Sequence, residues 1–529
     1  MPTINFFTLP HIVPDLVLDR EPGGPLTDRS ATSMRTFDDL LCDLGGLGKF
    51  QVAHVTLVNL NNLFTGWSML MMSFAGLTPD FRCVSDLDLS DNATTNVCHI
   101  NGTSCPRHEF TGSDVTVVSE WALVCGEKWP KQVITSVQMV GVLVGALLGG
   151  QLSDSFGRKK AMYGFTLFHI LSNVAAAFSV SWQMFAAMRF SIGIGIGSIL
   201  VVYFPFSMEF INSKWRSVLL FIPTWALGVS VFAIAAMFLN NWWHLHLACA
   251  VMSAPSLLGC FFVPESVRWL TLKGRIDDAH KVVQQIATVN GKQVPSDVHK
   301  IFQDIVDKEN AARETTRAYS YIDLFRSKKM AWIDLTIFVF WFSLSLCFYG
   351  ISFGVSSLSG NLYLNIFLLA TLELPPRYLS VYFINKLGRK PTSIICYLLS
   401  FLPMLGCIVA ELAAPEDKRG LFINILAMVA KMMIGAAWGS TNLWTTELYP
   451  TVVRNLGLAW ANFGARVGGI LAPLLIDLEG MPIESYVIMS AVLFLSTILC
   501  FTLEETMGKD LQDSLQNGKT SRQVEGEDT

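Results

Sequence analysis

The sequence predicts an all-α membrane protein with twelve transmembrane helices arranged in two six-helix halves. Of its 529 residues 52% are hydrophobic and only 15% are charged, whereas water-soluble domains carry about 25% charged residues. Twelve mostly apolar stretches, each about as long as the 20 residues that a helix needs to cross a bilayer, follow one another along the chain. A long polar segment separates the sixth stretch from the seventh, which predicts the division into halves.

The apolar stretches are continuous over about 20 residues instead of alternating over about ten, so a β-barrel is a poor interpretation. They cover residues 54–77, 132–152, 161–179, 183–206, 217–239, 243–263, 331–352, 361–384, 392–412, 421–444, 453–476 and 484–503. The predicted organisation is an N-terminal tail (1–50), a first half (51–263), a loop with short helices (264–330), a second half (331–503) and a C-terminal tail (504–529).

Basic residues set the expected orientation. The short loops after spans 2, 4, 8 and 10 contain Arg158, Arg216, Arg389 and Arg454, and the loop at 264–330 adds several more lysines and arginines. All of these loops lie on one side if the spans alternate. Because Lys and Arg are enriched in cytoplasmic loops, we expect this side, both tails and the 264–330 loop to be cytoplasmic.

The opposite side carries one large loop, 78–130, between spans 1 and 2. Its four cysteines suggest two disulfides with three possible pairings, and its two N-x-T sequons predict glycosylation outside the cytoplasm. The cysteines are Cys83, Cys98, Cys105 and Cys125, and the sequons begin at Asn92 and Asn101. Both signals agree with the orientation that the basic residues predict.

Acidic and basic residues recur at equivalent places in the two halves. They follow spans 2, 4 and 6 of the first half and spans 8, 10 and 12 of the second. The first set is Asp154, Gly157, Arg158, Glu209, Arg216, Glu265 and Arg268, and the second is Gly388, Arg389, Glu447, Arg454 and Glu505. We expect salt bridges between helix ends that form and part as the halves rock. The alternative is that these charges only anchor helix ends at the membrane surface.

The two halves and the D-x-x-G-R-K motif at 154–159 resemble the major facilitator superfamily. A sharper resemblance, over 37–512, is to the organic cation and anion transporters of solute carrier family 22. The motifs that carry it are EWALVC at 120–125, GVLVG at 141–145, PESVRWL at 264–270 and ELYPTVVRN at 447–455. The resemblance implies a polyspecific plasma-membrane carrier that takes up or exchanges amphipathic organic anions by alternating access.

Ionisable residues within spans are costly and therefore often functional. Arg466 lies near the middle of span 11, where the resemblance implies an Asp in cation carriers and an Arg in anion and carnitine-type carriers. In span 8, Arg377 matches a basic residue of anion carriers and Glu373 an acid of cation carriers. Arg466 could instead pair with a buried acid, and Glu373 could neutralise Arg377 on one helix face. A carrier of cations or carnitine-type zwitterions therefore stays an alternative.

Aromatic residues are expected to form the walls of the cavity. Trp225, Phe348, Tyr349, Trp438 and Trp444 fall where relatives line it with rings, which bury the apolar body of many substrates without demanding one shape. Each of them could instead serve as a packing residue.

Other function classes are disfavoured. Lys and Arg number 38 against 42 Asp and Glu, so no basic field for nucleic acid is expected. There is no credible catalytic triad, metal-ligand cluster or nucleotide loop, so we expect neither an enzyme nor a cofactor nor a metal site. The expected partners are a small organic ion, a possible counter-transported anion and the lipid bilayer. A non-transporting receptor on the same scaffold is the rival from another class.

Overall fold

The computed structural model describes residues 36–84, 96–100, 103–105, 107–112, 115–215, 223–315, 321–450, 452–476 and 482–508. Within these ranges, helices occupy all twelve predicted spans. In the first half α1 comprises Lys49–Leu70 and Met72–Ala75, α2 is Trp129–Phe156, α3 is Arg158–Ala177, α4 is Trp182–Met208, α5 is Thr224–Ala236, and α6 comprises Trp242–Ser253, Ala254–Leu258 and Gly259–Phe262. In the second half α7 is Lys328–Phe353, α8 comprises Leu362–Thr371 and Leu374–Leu387, α9 is Arg389–Ala413, α10 is Glu416–Leu448, α11 is Arg454–Ile476 and α12 is Pro482–Thr502.

Eight of these helices are long and apolar enough to cross a membrane on their own, namely α2, α4, α6, α7 and α9 to α12. Each of the other four helices differs from a long, continuous apolar helix for a different reason. α1 buries Asn59, Asn61 and Asn62, α3 begins with three basic residues, α5 has 13 described residues, and α8 is interrupted at Glu373. Two of the α1 asparagines bond to neighbouring helices, Asn61 to Thr166 of α3 over 2.8 Å and Asn62 to Thr224 of α5 over 2.7 Å.

Close helix packing holds each half together. In the first half α2 and α4 meet through facing glycines, where a Cβ on Gly145 or Gly197 would overlap the backbone of the other helix. Small residues allow helix backbones in a membrane to approach closely and gain van der Waals contact. In the second half, a Cβ on Gly468 of α11 would likewise overlap the backbone of α7.

The two halves meet through α1, α2 and α5 on one side and α7, α8 and α11 on the other. Ser73 at the end of α1 donates to the carbonyl oxygen of Ser352 in α7 over 3.2 Å, and Ser136 near the start of α2 donates to that of Ile470 in α11 over 2.9 Å. Both bonds lie toward the end of the molecule that carries the loop between α1 and α2, which we call the disulfide side. The opposite end is the basic side.

The loop between α1 and α2 forms two small antiparallel sheets in its described part. Strand β1 (Phe81–Val84) pairs with β4 (Arg107–Phe110), and β2 (His99–Ile100) pairs with β3 (Thr103–Ser104). Of the three pairings that the sequence leaves open, the structure has Cys83–Cys105 and Cys98–Cys125. Asn92 and Asn101, the predicted glycosylation sites, lie outside the described residues.

The segment between the halves forms short helices, which include Val267–Leu272, Ile276–Asn290 and Val298–Thr315. Their apolar faces pack into a small core with the basic-side ends of the first half. Asn290 ties this core to α1, because its side chain accepts from the backbone N–H of Phe50 over 3.0 Å and donates to the carbonyl oxygen of Leu44 over 2.7 Å.

Candidate functional site

A buried cavity lies between the two halves. It is lined from the first half by Leu70, Trp225, Ala226 and Val229, and from the second by Phe348, Ser352, Ile366, Leu369, Ala370, Glu373 and Lys431. Its free volume is about 20 Å³, which is room for about one water molecule. The cavity is therefore small, with a few polar groups in a mostly apolar wall.

Lys431 of α10 is the buried cation of this cavity, with 3% of its surface exposed. Its ammonium donates to the carbonyl oxygen of Phe348 over 2.8 Å and to the hydroxyl of Ser352, and it lies over the Phe348 ring. These partners are neutral and belong to the last turns of α7. Ser352 also donates to the Phe348 carbonyl oxygen over 2.6 Å, and the negative end of the α7 helix dipole attracts a cation, which explains why the lysine lies there.

Glu373 supplies the carboxylate at the interruption of α8 and is 4% exposed. It packs over Gly435, one turn beyond Lys431 on α10, where an added Cβ would lie 2.6 Å from its Cγ. Arg377 follows one turn later with a third of its side chain exposed, and its Nη1 lies 3.9 Å from the Glu373 carboxylate. The predicted neutralisation within α8 is thus present as a long ion pair, and the carboxylate also faces the cavity of Lys431.

Arg466 of α11 lies outside the lining of this cavity. Its guanidinium lies beside the hydroxyl of Tyr349, the residue that follows Phe348 in α7. Its Nε is buried without a hydrogen-bond partner among the described residues. Phe348 and Tyr349 are in edge contact at 5.4 Å, so α7 presents one ring to Lys431 and the next to Arg466.

The predicted aromatic residues divide into two groups. Trp225 and Phe348 line the cavity, and Trp438 lies 6.0 Å from the Phe348 ring in the layer behind it. Trp444 is fully buried elsewhere, stacked on Phe340, and its Nε1 donates to the carbonyl oxygen of Glu504 over 3.1 Å. Trp444 therefore fastens α10 to the end of α12 at the basic side.

The repeated acid and base motifs form one network in each half. In the first half Arg158 pairs with Asp154 and with Glu209, the latter at 3.3 Å. Glu265 accepts from the backbone N–H of Arg158 over 2.8 Å, and Arg268 is close enough to Glu209 for their charges to attract. The network joins the basic-side ends of α2, α3, α4 and α6.

The second network repeats the first. Arg389 bonds both carboxylate oxygens of Glu447 over 2.9 Å, and Glu505 accepts from the backbone N–H groups of Arg389 over 3.0 Å and Lys390 over 2.9 Å. Gly388 and its counterpart Gly157 have φ of 104° and 108°, and a Cβ on either would collide with the adjacent carboxylate. This explains the glycine in both motifs.

In this conformation the described pairs of both networks connect helices within one half. Arg454 begins α11 with Nε and Nη2 buried and without hydrogen-bond partners among the described residues, and Arg216 lies outside those residues. Pairing that changes as the halves move stays a prediction.

Sequence reasoning missed two buried basic residues. Among Asp, Glu, Lys and Arg, Lys431 is the one residue of the 421–444 span and Arg189 that of the 183–206 span. Arg189 is fully buried and donates to Gln138 of α2. A systematic search of each span for charged residues, which are rare within membranes, would have found both. Among the described residues there is no group of three or more His, Cys, Asp or Glu residues that could hold a metal ion.

Comparison with solved structures shows the fold. The chain matches the inward-open conformation of the xylose transporter XylE from E. coli with a TM-score of 0.62 and 18% identity, over 87% of this chain and 98% of that one. It matches the major facilitator superfamily proton:xylose symporter XylE bound to 6-bromo-6-deoxy-D-glucose with a TM-score of 0.60 and 17% identity, over 88% and 98% of the two chains. The fold is that of the major facilitator superfamily.

The model of the family described as "Sugar (and other) transporter" matches residues 56–514, so the chain belongs to that family. Solute carrier family 22 member 7 of Bos taurus is 28% identical over 91% of this chain and 96% of that protein. Organic anion transporter 3 of Mus musculus is 29% identical over 92% and 96%, and solute carrier family 22 member 16 of Homo sapiens is 29% identical over 90% and 92%. The resemblance to solute carrier family 22 is confirmed, and the protein is a multi-pass membrane transporter, not an enzyme.

Proposed function

We propose that the protein transports amphipathic organic anions by alternating access, with the substrate bound between the halves at the cavity of Glu373 and Lys431. The observation that carries this proposal is the balance of charge around the cavity. Among the described residues, Lys431 lines the cavity with the carboxylate of Glu373, Arg377 pairs with that carboxylate from outside the lining, and Arg466 lies beside Tyr349, so three cations surround one carboxylate. Among the described residues, Lys431 hydrogen-bonds to a carbonyl and a hydroxyl besides facing this carboxylate. An incoming carboxylate or sulfate is a stronger partner for such an ammonium than either neutral group.

Relatives support the same substrate class. The name of the mouse relative describes an organic anion transporter, and this chain covers nearly the whole of that protein. The rings of Trp225 and Phe348 supply the apolar wall that an amphipathic anion requires. Polyspecificity follows from this kind of wall, because ring faces bury apolar groups of many shapes.

Alternating access is the mechanism that the small volume of the cavity favours. A volume of about 20 Å³ admits no organic anion, so the halves must move apart before a substrate enters. Hydrogen bonds join them at the disulfide side, from Ser73 to Ser352 and from Ser136 to Ile470. The two networks at the basic side hold the helices of each half together, which lets each half move as a unit.

The proposed location is the plasma membrane, with both termini and the segment between the halves in the cytoplasm and the disulfide loop outside. Net uptake and exchange against a second anion are both compatible with the site. Exchange would appear as faster uptake into cells that have been preloaded with unlabelled anion.

A second candidate is transport of a zwitterion. Glu373 and Lys431 face the same cavity, so a substrate with an ammonium at one end and a carboxylate at the other could satisfy both. This candidate rests on the burial of Glu373, because a carboxylate that only balanced Arg377 would not need to line the cavity.

The test compares three labelled probes in cells that express the full chain: an aromatic carboxylate, a quaternary ammonium ion and a betaine. Arg466→Ala and Lys431→Ala are measured beside Lys329→Ala, which removes an exposed lysine at the basic side. We expect carboxylate uptake that falls in the first two variants and persists in the third, after correction for surface expression. The anion proposal would be rejected if uptake of the ammonium ion survives in Arg466→Ala and Lys431→Ala and falls in Glu373→Gln. The zwitterion candidate would be favoured if betaine uptake is lost in both Lys431→Ala and Glu373→Gln.

A further inference from the structure

Three aromatic rings lie about one helical turn from the cavity of Lys431, toward the disulfide side. Each ring is three or four residues away from a residue that lines the cavity, and residues at this spacing share a helix face. The pairs are Leu70 and Phe74 in α1, Val229 and Phe232 in α5, and Ile366 and Tyr363 in α8. Because α1 and α5 run toward the disulfide side and α8 runs away from it, each ring lies on the disulfide side of its lining residue.

Two of these rings stack across the boundary between the halves. The ring centroids of Phe74 and Tyr363 are 5.4 Å apart and their planes differ by 20°. Phe74 also makes an edge contact of 5.3 Å with Phe232. Phe74 and Phe232 belong to the first half and are buried, whereas Tyr363 belongs to the second half and is partly buried against the same core. The stack of Phe74 on Tyr363 is thus a contact between the halves beside the cavity.

Hydrogen bonds between the halves flank this stack. Ser73, the residue before Phe74, donates to the carbonyl oxygen of Ser352, which lines the cavity. In the neighbouring helices, the hydroxyls of Ser230 in α5 and Thr371 in α8 lie 3.1 Å apart. The rings and these bonds join the same region of the two halves, so we expect them to part together.

The end of α1 that carries Phe74 is fixed within the first half. Gln138 of α2 donates to the carbonyl oxygen of Ser68 over 3.1 Å, and the fully buried Arg189 of α4 donates to the side chain of Gln138. The same guanidinium lies 4.0 Å from the sulfur of Met71. Hydrogen bonds from a charged donor are stronger than those from a neutral one, so we expect Phe74 to move with the first half.

The start of α8, which carries Tyr363, is fixed within the second half. The backbone N–H of Ser359 donates to the side-chain oxygen of Asn424 in α10 over 3.1 Å, and Asn424 donates to the carbonyl oxygen of Ser359 over 2.5 Å. Asn361 caps the helix by accepting from the backbone N–H of Leu364 over 3.1 Å. Tyr363 is therefore expected to move with the second half, and a rotation of one half against the other would separate the two rings.

We propose that Phe74 and Tyr363 form the gate between the cavity and the disulfide side, and that this gate opens when the two rings part. The inference rests on the proposed transport by alternating access, and it names the residues that control entry to the site from the disulfide side. A stacked aromatic pair shifts an equilibrium only about two- to tenfold. Such a contact is weak enough to break and form again in every transport cycle.

The first test measures access to the cavity without a transported substrate. A cysteine at Val229, which lines the cavity, reports access through its rate of modification by a thiol reagent that does not cross the membrane, in cells that express the full chain. We expect Tyr363→Ala to raise the rate of Val229→Cys about two- to tenfold, the value of the lost ring pair. Tyr382→Ala is the control, because Tyr382 is an exposed ring of α8 on the basic side of its interruption. An unchanged rate in Tyr363→Ala, or an equal rise in Tyr382→Ala, would overturn the inference.

The second test joins the rings covalently. Phe74→Cys with Tyr363→Cys places two thiols across the halves, whereas Phe74→Cys with Phe232→Cys places two thiols within the first half at a similar ring separation. Uptake of an aromatic carboxylate is compared before and after a short bifunctional thiol reagent, with the crosslink verified by mass spectrometry. We expect the crosslink between the halves to reduce uptake severalfold and the crosslink within one half to have no such effect.

Equal inhibition by the two crosslinks, or full uptake with the crosslink between the halves in place, would contradict the gate. Failure of the anion proposal would appear differently, as no carboxylate uptake by the native chain. The modification rate of Val229→Cys requires no substrate and would still decide whether Tyr363 controls access to the cavity.

Discussion

Lys431 donates a hydrogen bond of 2.8 Å to the carbonyl oxygen of Phe348 and thereby ties α10 to the last turns of α7. The same turns carry Ser352, whose carbonyl oxygen accepts from Ser73 of the first half. The ammonium that faces the cavity thus also holds the part of α7 that closes against α1. If Lys431 binds a substrate anion as proposed, this part of α7 would be released, and we expect substrate binding to favour opening of the disulfide side.

Replacing Lys431 tests its role in substrate binding. Lys431→Gln keeps hydrogen-bond donors but removes the charge, and we expect uptake of an aromatic carboxylate to fall about tenfold or more, because a hydrogen bond to a charged group contributes about 1.5–3 kcal/mol. Lys431→Arg should retain part of the activity. The measurement is KM and maximal uptake, corrected for surface expression.

Lys418→Gln on the same helix is the control, since Lys418 is exposed. Unchanged KM and maximal rate in Lys431→Gln would remove this residue from the proposed site, and an equal loss in both variants would point to a general effect of charge on α10.

A methyl group at Gly435 should disturb Glu373 specifically. A Cβ there would lie 2.6 Å from the Glu373 Cγ, whereas a Cβ at Gly439, one turn away, would have its nearest contact at 3.4 Å, with the Ser380 hydroxyl. We expect Gly435→Ala to change the ratio of carboxylate to betaine uptake by severalfold and Gly439→Ala to leave it unchanged. Equal behaviour of the two alanine variants would mean that the position of Glu373 does not govern selectivity.

The order of helices was predictable because a bilayer demands long apolar segments, and these appear directly in the sequence. The interruption of α8 was also visible, as Glu373 stands before two prolines in an otherwise apolar stretch. The residues that meet across the cavity were only partly predictable. Trp225, Phe348 and Glu373, which the sequence offers as substrate contacts, line the cavity, and their contact with substrate stays a prediction. Lys431 was overlooked within its span.

Other features needed three-dimensional information. Four cysteines permit three pairings, and only the strand pairing of β1 with β4 brings Cys83 near Cys105. In the sequence, nothing distinguishes Trp444 from an aromatic residue that lines the cavity. Its packing on Phe340 depends on which face of α10 turns toward α7. Sequence spacing gives a residue its place along a helix, whereas packing decides which neighbour the side chain meets.

The disulfide pairing can be tested by mass spectrometry of the non-reduced protein. We expect linked peptides that join Cys83 to Cys105 and Cys98 to Cys125. Replacing both Cys98 and Cys125 by serine should reduce surface expression and thermal stability, because loss of a disulfide typically costs about 2–5 kcal/mol in a small extracellular domain. Cys347→Ser, at a buried free cysteine of α7, is the control for a loss of thiol without a loss of a disulfide. Peptides that join Cys83 to Cys98 or to Cys125 would contradict the structure.

The basic-side networks should stabilise the protein more than exposed ion pairs do. Glu447 receives both bonds of Arg389 and both side chains are only 18% exposed, whereas Lys329 and Glu504 form a pair that is 69% and 61% exposed. We expect Glu447→Gln to lower the melting temperature in detergent by several degrees and Lys329→Gln to leave it nearly unchanged, since exposed pairs contribute about 0–1 kcal/mol. Equal shifts for the two variants would show that the network adds nothing beyond surface charge.

Glu505 should make stability depend on acid pH. Partial burial acts to raise the pKa of its carboxyl, but the backbone N–H groups of Met507, Arg389, Lys390 and Thr506 outweigh burial and hold this pKa below its ordinary value. A carboxyl whose pKa is lower in the folded state stabilises the fold fully above its unfolded pKa of about 4.3, and this contribution is lost as pH falls through the folded pKa. Glu505→Gln should therefore have a lower melting temperature than the native chain at pH 7, and the difference should shrink below about pH 4. Melting curves of both proteins from neutral to acid pH measure this difference, with Glu127→Gln as an exposed carboxyl control. A difference that stays constant over the whole range would mean that Glu505 acts through its packing and not through its charge.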